Sequence, residues 1–242
     1  MTGRPDQRPA IAHALAAAPL LRGVAPEPLD RFAAHARLVD AQEGGVIVDG
    51  EDESTDVYVV LHGAVRVTVR TPGGKEAILG NFHEGDLFGE MAAIDDAPRS
   101  ARIAALTRAR LAVVPARAFL DLVFAAPQAC HGLLRLLTAR IRQQNERLLE
   151  HAALPSRLRL YAELLRLSRP RPAEGSAARA ISPPPTQSDL AARIGVRREA
   201  VSREMAALAR RGLVRATRGA IHIPDAGALR REVEAGLADA RD

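Results

Sequence analysis

Between Gly44 and Pro115 the chain alternates on a period of two, and this run restricts the fold more than any other feature. Val57-Tyr58-Val59-Val60-Leu61 runs into Gly63, and Val65, Val67 and Val69 then interleave with Arg66, Thr68 and Arg70. Pro72-Gly73-Gly74 turns the chain into a strand around Ala77 to Leu79, and Gly85-Asp86 marks another turn. Ile103 to Leu106 and Leu111 to Val114 supply two further strands. Successive side chains point to opposite faces of a strand. Short alternating runs, spaced roughly eight to twelve residues apart and separated by turn residues, therefore predict an all-β barrel or sandwich.

The texture then becomes helical. From Pro127 to Leu154 only Gly132 interrupts it. Leu134, Ile141 and Leu148 recur every seven residues, and Leu137, Gln144 and His151 form a second series three positions on. Heptad spacing predicts a helix–helix seam and self-association, the alternative being a helix laid on its own barrel. The polar Gln144 and His151 suit a seam that holds a ligand better than a dry core. A second helix follows Pro155 and runs to about Ser168. Beyond it, Pro170, Pro172 and Pro183-Pro184-Pro185 cannot donate to a sheet or continue a helix, so this stretch predicts loop with at most a frayed hairpin. Two helices and a short strand pair close the chain. The expected segments are 1–126, 127–154 and 155–242.

Composition excludes several classes. The 242 residues are 47% hydrophobic, enough for a proper core, but no run approaches the roughly 20 apolar residues that span a bilayer. Met1 to Pro19 lacks the basic start and apolar centre of an export signal, so a cytoplasmic protein without a membrane partner is expected. Cys130 is the only cysteine, which rules out an internal disulfide, a zinc ribbon and a four-cysteine cluster within one chain. The seven histidines are scattered, with no close metal-ligand pair, and no nucleophile–base arrangement appears. Neither an enzyme nor a metal site is expected. Charge is uneven: residues 1–154 carry 17 basic and 19 acidic groups, whereas 155–242 carry 17 and 10. A cationic last third suggests a polyanion partner.

The motifs agree with that charge. Thr186-Gln187-Ser188-Asp189 sets a hydroxyl at a helix start and an acid three positions on, a capping-box pattern with Asp as the acid. Leu190, Ala191 and Ile194 give the short helix its apolar face, and Gly195 ends it where a tight turn needs positive φ. A second helix starts near Arg197 and turns Val201, Met205 and Leu208 inward. Its outward face begins with Arg197, Arg198, Glu199, Ser202 and Arg203, where a recognition helix meets base edges. Arg can grip guanine bidentately and a carboxylate can accept from cytosine. The plainer alternative is a Glu199–Arg203 surface pair. Gly212 and a strand pair at Val214 to Ile223, with Gly219 at its tip, complete a winged helix-turn-helix pattern.

Gly195-Val196-Arg197-Arg198-Glu199-Ala200-Val201-Ser202-Arg203 resembles the recognition helix of the cyclic-AMP receptor protein and fumarate–nitrate regulator family. That resemblance implies guanine reading by Arg198 and Arg203 and cytosine reading by Glu199. Arg197 stands where better-known members have Ser, a change that would add a phosphate contact.

The likeness extends over nearly the whole chain. Phe88-Gly89-Glu90-Met91-Ala92, followed by Pro98-Arg99-Ser100-Ala101, resembles the family's phosphate-binding cassette. A cyclic phosphate is a compact anion that needs a buried cation and donors together, and Arg provides a planar fork of them. By resemblance, Gly89 lets backbone approach the sugar, Glu90 accepts from the ribose 2′-OH, Arg99 pairs with the phosphate, Ser100 adds a hydroxyl and Met91 lies beside them. A structural Glu90–Arg99 ion pair is the alternative. Gln144 and Asn145 match the polar pair that meets the adenine, although better-known members have Thr-Ser there.

The resemblance implies an α+β architecture: an N-terminal double-stranded β-helix (jelly-roll) barrel as sensor, a dimerisation helix and a C-terminal winged helix-turn-helix. It implies a homodimeric transcriptional regulator with cyclic AMP as effector and no other cofactor. Its partners would be pseudo-palindromic double-stranded DNA and, as a candidate, RNA polymerase. The alternatives are a relative that answers to cyclic di-GMP or to no ligand, or a nucleotide-binding module acting through protein partners.

Overall fold

The computed structural model describes residues 8–50, 52–70, 73–74, 76–171 and 177–239. It divides into two compact units, Met1–Ile141 and Arg142–Asp242. The division falls inside the long helix, which is therefore shared between the units.

The first unit opens with α1 (Arg8–Ala16), a 3-10 turn (Pro19–Leu21) and α2 (Pro26–Ala34). Eight strands follow: β1 (Arg37–Ala41), β2 (Val46–Val48), β3 (Val57–His62), β4 (Ala64–Arg70), β5 (Glu76–His83), β6 (Leu87–Phe88), β7 (Arg102–Ala105) and β8 (Ala109–Val114). A short helix, α3 (Glu90–Asp95), lies between β6 and β7, and α4 (Ala116–Ala125) and α5 (Pro127–Ala153) come after β8. The strands form two four-stranded antiparallel sheets, β1-β8-β3-β6 and β2-β7-β4-β5, which meets the all-β expectation of the alternation and the jelly roll that the resemblance implies. The Pro72-Gly73-Gly74 turn lies partly outside the described residues.

Burial explains why β3 carries an unbroken hydrophobic run from Val57 to Leu61. Val60, Leu111 and Val113 pack between the sheets with Val65, Val67 and Ile103. Val57, Val59, Ala112 and Val114 point the other way, onto a helical layer containing Leu15, Phe32, Phe119 and Leu133. A strand buried on both faces shows a continuous apolar run instead of alternation. The helical layer is tight. A Cβ on Gly132 of α5 would sit 2.3 Å from the backbone oxygen of Leu20, so only glycine lets these two backbones approach.

The second unit holds α6 (Ser156–Leu167), β9 (Arg169–Pro170), β10 (Arg179–Ile181), α7 (Gln187–Ile194) and α8 (Arg198–Arg210). β11 (Arg215–Ala216), β12 (Ile221–Ile223) and α9 (Ala226–Asp239) complete it. A small sheet, β11-β12-β10-β9, backs the helices, and Tyr161, Leu164, Leu190, Leu208, Ile223 and Leu229 form the core. The proline-rich stretch does make a minimal hairpin, with Pro170 opposite Arg179 and Arg169 opposite Ala180.

The long helix departs from the sequence expectation in its second heptad series. Leu134, Ile141 and Leu148 are 58%, 61% and 69% exposed, an apolar series repeating every two turns with the exposed Gln144 and Asn145 between its last two members. Leu137 instead packs on the first unit's core, whereas Nδ1 of His151 lies 2.8 Å from Nη1 of Arg159. An α-helix drifts about 20° per heptad, so two parallel series over 27 residues do not keep the same neighbours.

Candidate anion pocket and nucleic-acid interface

The cassette is built at the end of β6. Gly89 has φ 87°, and a Cβ there would lie 2.6 Å from the Asp56 carbonyl oxygen and 2.8 Å from Nη1 of Arg99. Positive φ and close approach both demand glycine. The turn delivers Glu90 to the start of α3, where it is 1% exposed.

Glu90 and Arg99 do not pair. The Glu90 carboxylate accepts a hydrogen bond from Nη1 of Arg140 on α5, so the structural Glu90–Arg99 bridge is absent. Arg99, 7% exposed, donates from Nη1 to the Gly89 carbonyl (3.3 Å), and from Nη2 to Ser54 Oγ (3.0 Å) and the Asp56 carbonyl (2.8 Å). Its guanidinium also lies over the Tyr58 ring, 5.7 Å from the centroid. Three of five N–H groups are thus engaged, all by neutral acceptors, and the buried Nε has no partner. Among the described residues no carboxylate neutralises Arg99. A desolvated cation held this way is costly unless an anion joins it, and the donor set fits a phosphate.

An aromatic column joins the two arginines. Tyr58 stacks on Phe88 at 4.9 Å between centroids, Phe82 stacks on Phe88 at 5.8 Å, and Arg140 lies 4.9 Å from the Phe82 centroid. Burial pushes the Tyr58 hydroxyl above its ordinary range. Met91 is 51% exposed beside this site and Ser100 is exposed. Gln144 and Asn145 are exposed on α5, in the part belonging to the second unit. Arg140, Ser54 and the column were not visible to sequence reasoning. Only folding brings them to the cassette.

In the second unit Thr186 caps α7 as the pattern predicts. Its Oγ1 accepts from the Asp189 N–H at 3.0 Å, and its own N–H donates to the Asp189 carboxylate at 3.3 Å. Gly195 ends the helix at φ 69°. Arg197 occupies the N-cap of α8, so Arg198, Glu199, Ser202 and Arg203 fall on its first turns. Arg197, Arg198, Glu199 and Arg203 are exposed and Ser202 is half-buried. Among the described residues Glu199 forms no ion pair with Arg203, which removes the plainer alternative. Val201 and Leu208 anchor the inner face. Beyond α8, Arg218 and Gly219 are exposed at the tip of the β11–β12 wing, closed by the Thr217 N–H donating to the Ala220 carbonyl (2.8 Å).

A buried ionic lattice holds this unit in shape. Glu163, 2% exposed, accepts from Arg193 of α7 at 3.3 Å and from Arg166, whose Nη2 also donates to both oxygens of Glu150 on α5 (2.6 and 2.8 Å). Tyr161, fully buried, donates to Glu204 of α8 at 2.5 Å, and burial reinforced by that carboxylate pushes its hydroxyl up to about 12. The recognition helix is thereby fixed from below by polar contacts as well as by packing.

Comparison with known proteins agrees with both halves. Residues 38–125 match the family described as cyclic nucleotide-binding domain, and residues 158–232 match the Crp-like helix-turn-helix domain. The cyclic AMP receptor protein of Thermus thermophilus is 32% identical over 222 residues, covering 91% of this chain and 98% of that protein. The CRP-like cAMP-activated global transcriptional regulator of Mycobacterium tuberculosis is 26% identical over 217 residues, covering 90% and 97%. In fold, the c-di-GMP responsive global regulator of Xanthomonas campestris superposes with a TM-score of 0.69 at 21% identity, over 81% of this chain and 98% of the other.

Proposed function

The chain belongs to the Crp family of transcriptional regulators, and from that premise we propose that it is a homodimer whose DNA binding is governed by cyclic AMP. The observation that carries the effector assignment is Arg99, buried, held by three neutral acceptors and facing no carboxylate among the described residues. A cyclic phosphate supplies the missing charge. Glu90, oriented by Arg140, would accept from the ribose hydroxyl, with Gly89, Met91 and Ser100 alongside. Gln144 and Asn145 enter through the resemblance, as amides able to donate to and accept from a purine edge.

The apolar series of Leu134, Ile141 and Leu148 supports pairing with a second copy, because so much apolar surface on one helix face is costly in water. Two-fold symmetry then calls for a pseudo-palindromic site with half-sites about 34 Å apart. Arg198 and Arg203 would read guanines, Glu199 a cytosine and Arg197 a phosphate. RNA polymerase is the partner through which such a regulator would act.

Cyclic AMP changes DNA affinity only so far as it binds one state of the dimer more tightly than the other. Calorimetry of the full chain tests the effector. Micromolar binding, about −8 kcal/mol, is expected, together with its loss in Arg99→Gln. Wild-type protein giving neither heat nor a thermal shift with any cyclic nucleotide would remove the effector from this account.

A further inference from the structure

We infer that the acidic side chains Asp49, Asp52, Glu53 and Asp56 beside Arg99 form a charge filter that admits a singly charged cyclic phosphate and turns away ligands bearing two phosphate charges. The inference rests on the effector reading above and adds to it the charge class of the ligand.

A charge inventory carries it. Arg99 is the one cassette cation that no carboxylate neutralises among the described residues. Arg140, the other arginine of the site, is already committed to Glu90. The loop lies directly on the guanidinium, since Ser54 Oγ and the Asp56 carbonyl both accept from Nη2 of Arg99. Its carboxylates outnumber their counter-charges. Asp56 pairs with Arg37 at 3.2 Å, and Asp49 stands 3.9 Å from Arg102. Asp52 and Glu53 are exposed, and neither forms an ion pair among the described residues. Among the described residues of this loop no acidic side chain bridges to Arg99. Its charge is left for a ligand, and Asp52 and Glu53 immediately precede the Ser54 whose hydroxyl accepts from it.

The consequence follows from Coulomb's law. A 3′,5′-cyclic phosphate carries one negative charge, which Arg99 can match. A 5′-phosphomonoester is close to doubly charged at neutral pH, and a cyclic dinucleotide has two separate phosphates. In both, the second charge meets Asp52 and Glu53 with no buried cation left. Repulsion between fixed charges scales with the ligand's charge, so the loop acts about twice as strongly, in free energy, on a dianion. Added salt weakens the effect because the loop is exposed.

The experiment compares cyclic AMP, 5′-AMP and cyclic di-GMP by calorimetry on the full chain and on the double variant Asp52→Asn/Glu53→Gln. The variant's melting curve serves as the folding control. Wild type is expected to bind cyclic AMP at least about 100-fold more tightly than either doubly charged ligand. Neutralising the loop should help the dianion more: if cyclic AMP gains about threefold, 5′-AMP should gain about ninefold, and 0.5 M salt should erase most of the difference. Wild type that binds cyclic AMP, with the two ligands gaining equally in the variant or not at all, overturns the filter alone. Cyclic di-GMP binding as tightly as cyclic AMP does the same. Wild type that binds no cyclic nucleotide overturns both the filter and the effector reading beneath it.

Discussion

Arg140 on the long helix and Glu90 at the start of α3, fifty positions apart in the chain, form the ion pair that completes the cassette. The pair ties the sensor's shortest helix to the helix that continues into the second unit one residue beyond Ile141. The same Arg140 closes one end of the Tyr58–Phe88–Phe82 column, whose other end is Arg99. The guanidiniums of Arg99 and Arg140 therefore share one stack of rings.

Removing Arg140 should leave a buried, uncompensated carboxylate. Arg140→Met is expected to destabilise the protein by about 3 kcal/mol, since deleting one partner of a buried pair strands the other. The double variant Arg140→Met/Glu90→Gln should recover a good part of that loss. Urea unfolding of both variants measures it. Equal destabilisation by the single and the double change would mean that the pair contributes packing and not charge compensation.

Gly132 offers a second test, inside the first unit. An added methyl would sit 2.3 Å from the Leu20 carbonyl oxygen, a backbone atom of the Pro19–Leu21 turn, and would itself be fixed to the backbone of α5. Gly132→Ala should cost about 1–3 kcal/mol by overpacking, in spite of alanine's better helix propensity. A melting temperature equal to or above that of wild type would show that the two segments separate easily.

Glu163 lies among Arg147, Arg166 and Arg193 with almost no access to water. Glu163→Gln should lose about 3–5 kcal/mol, because Arg193, whose side chain is only 2% exposed, is left short of its carboxylate. Thermal melts followed by circular dichroism provide the number. A loss below about 1 kcal/mol would identify the lattice as dispensable.

The assembly makes its own prediction. With Leu134, Ile141 and Leu148 as the seam, the chain should sediment near twice 25.9 kDa. Ile141→Asp, which sets like charges face to face in apolar surroundings, should give monomers. A wild-type monomer at micromolar concentration would contradict the seam.

Local chemistry was the legible part of this chain. The Thr186 cap and the positive φ at Gly195 depend on neighbours within a few residues and are found where their patterns point. The alternation of β4 holds only to Val67, where a register shift turns Thr68 inward and leaves Val69 half-buried. β1 was not legible, because its burial along the strand does not alternate. α1, α2 and α9 carry no distinctive motif. Arg140 escaped for another reason: a helical arginine is ordinary until folding presents Glu90 to it. The three acceptors of Arg99 include two backbone carbonyls, which no sequence pattern displays. His151 belonged to a heptad series yet bonds Arg159. Spacing identifies a helix face, but tertiary contacts decide what each residue on it meets.

The most direct test joins the two halves in one measurement. Unbiased selection of bound oligonucleotides supplies the site, and its affinity is then measured with and without cyclic AMP for wild type, Arg99→Gln and Arg203→Ala. The account predicts an inverted repeat of half-sites with guanines read by Arg198 and Arg203, resembling the TGTGA that the family likeness implies. It also predicts a cyclic AMP-dependent change in wild-type affinity that Arg99→Gln abolishes. Arg203→Ala should cost about 1–3 kcal/mol and relax a single guanine position. Selected sites without inverted symmetry, or a wild-type affinity that cyclic AMP leaves unchanged, would contradict it.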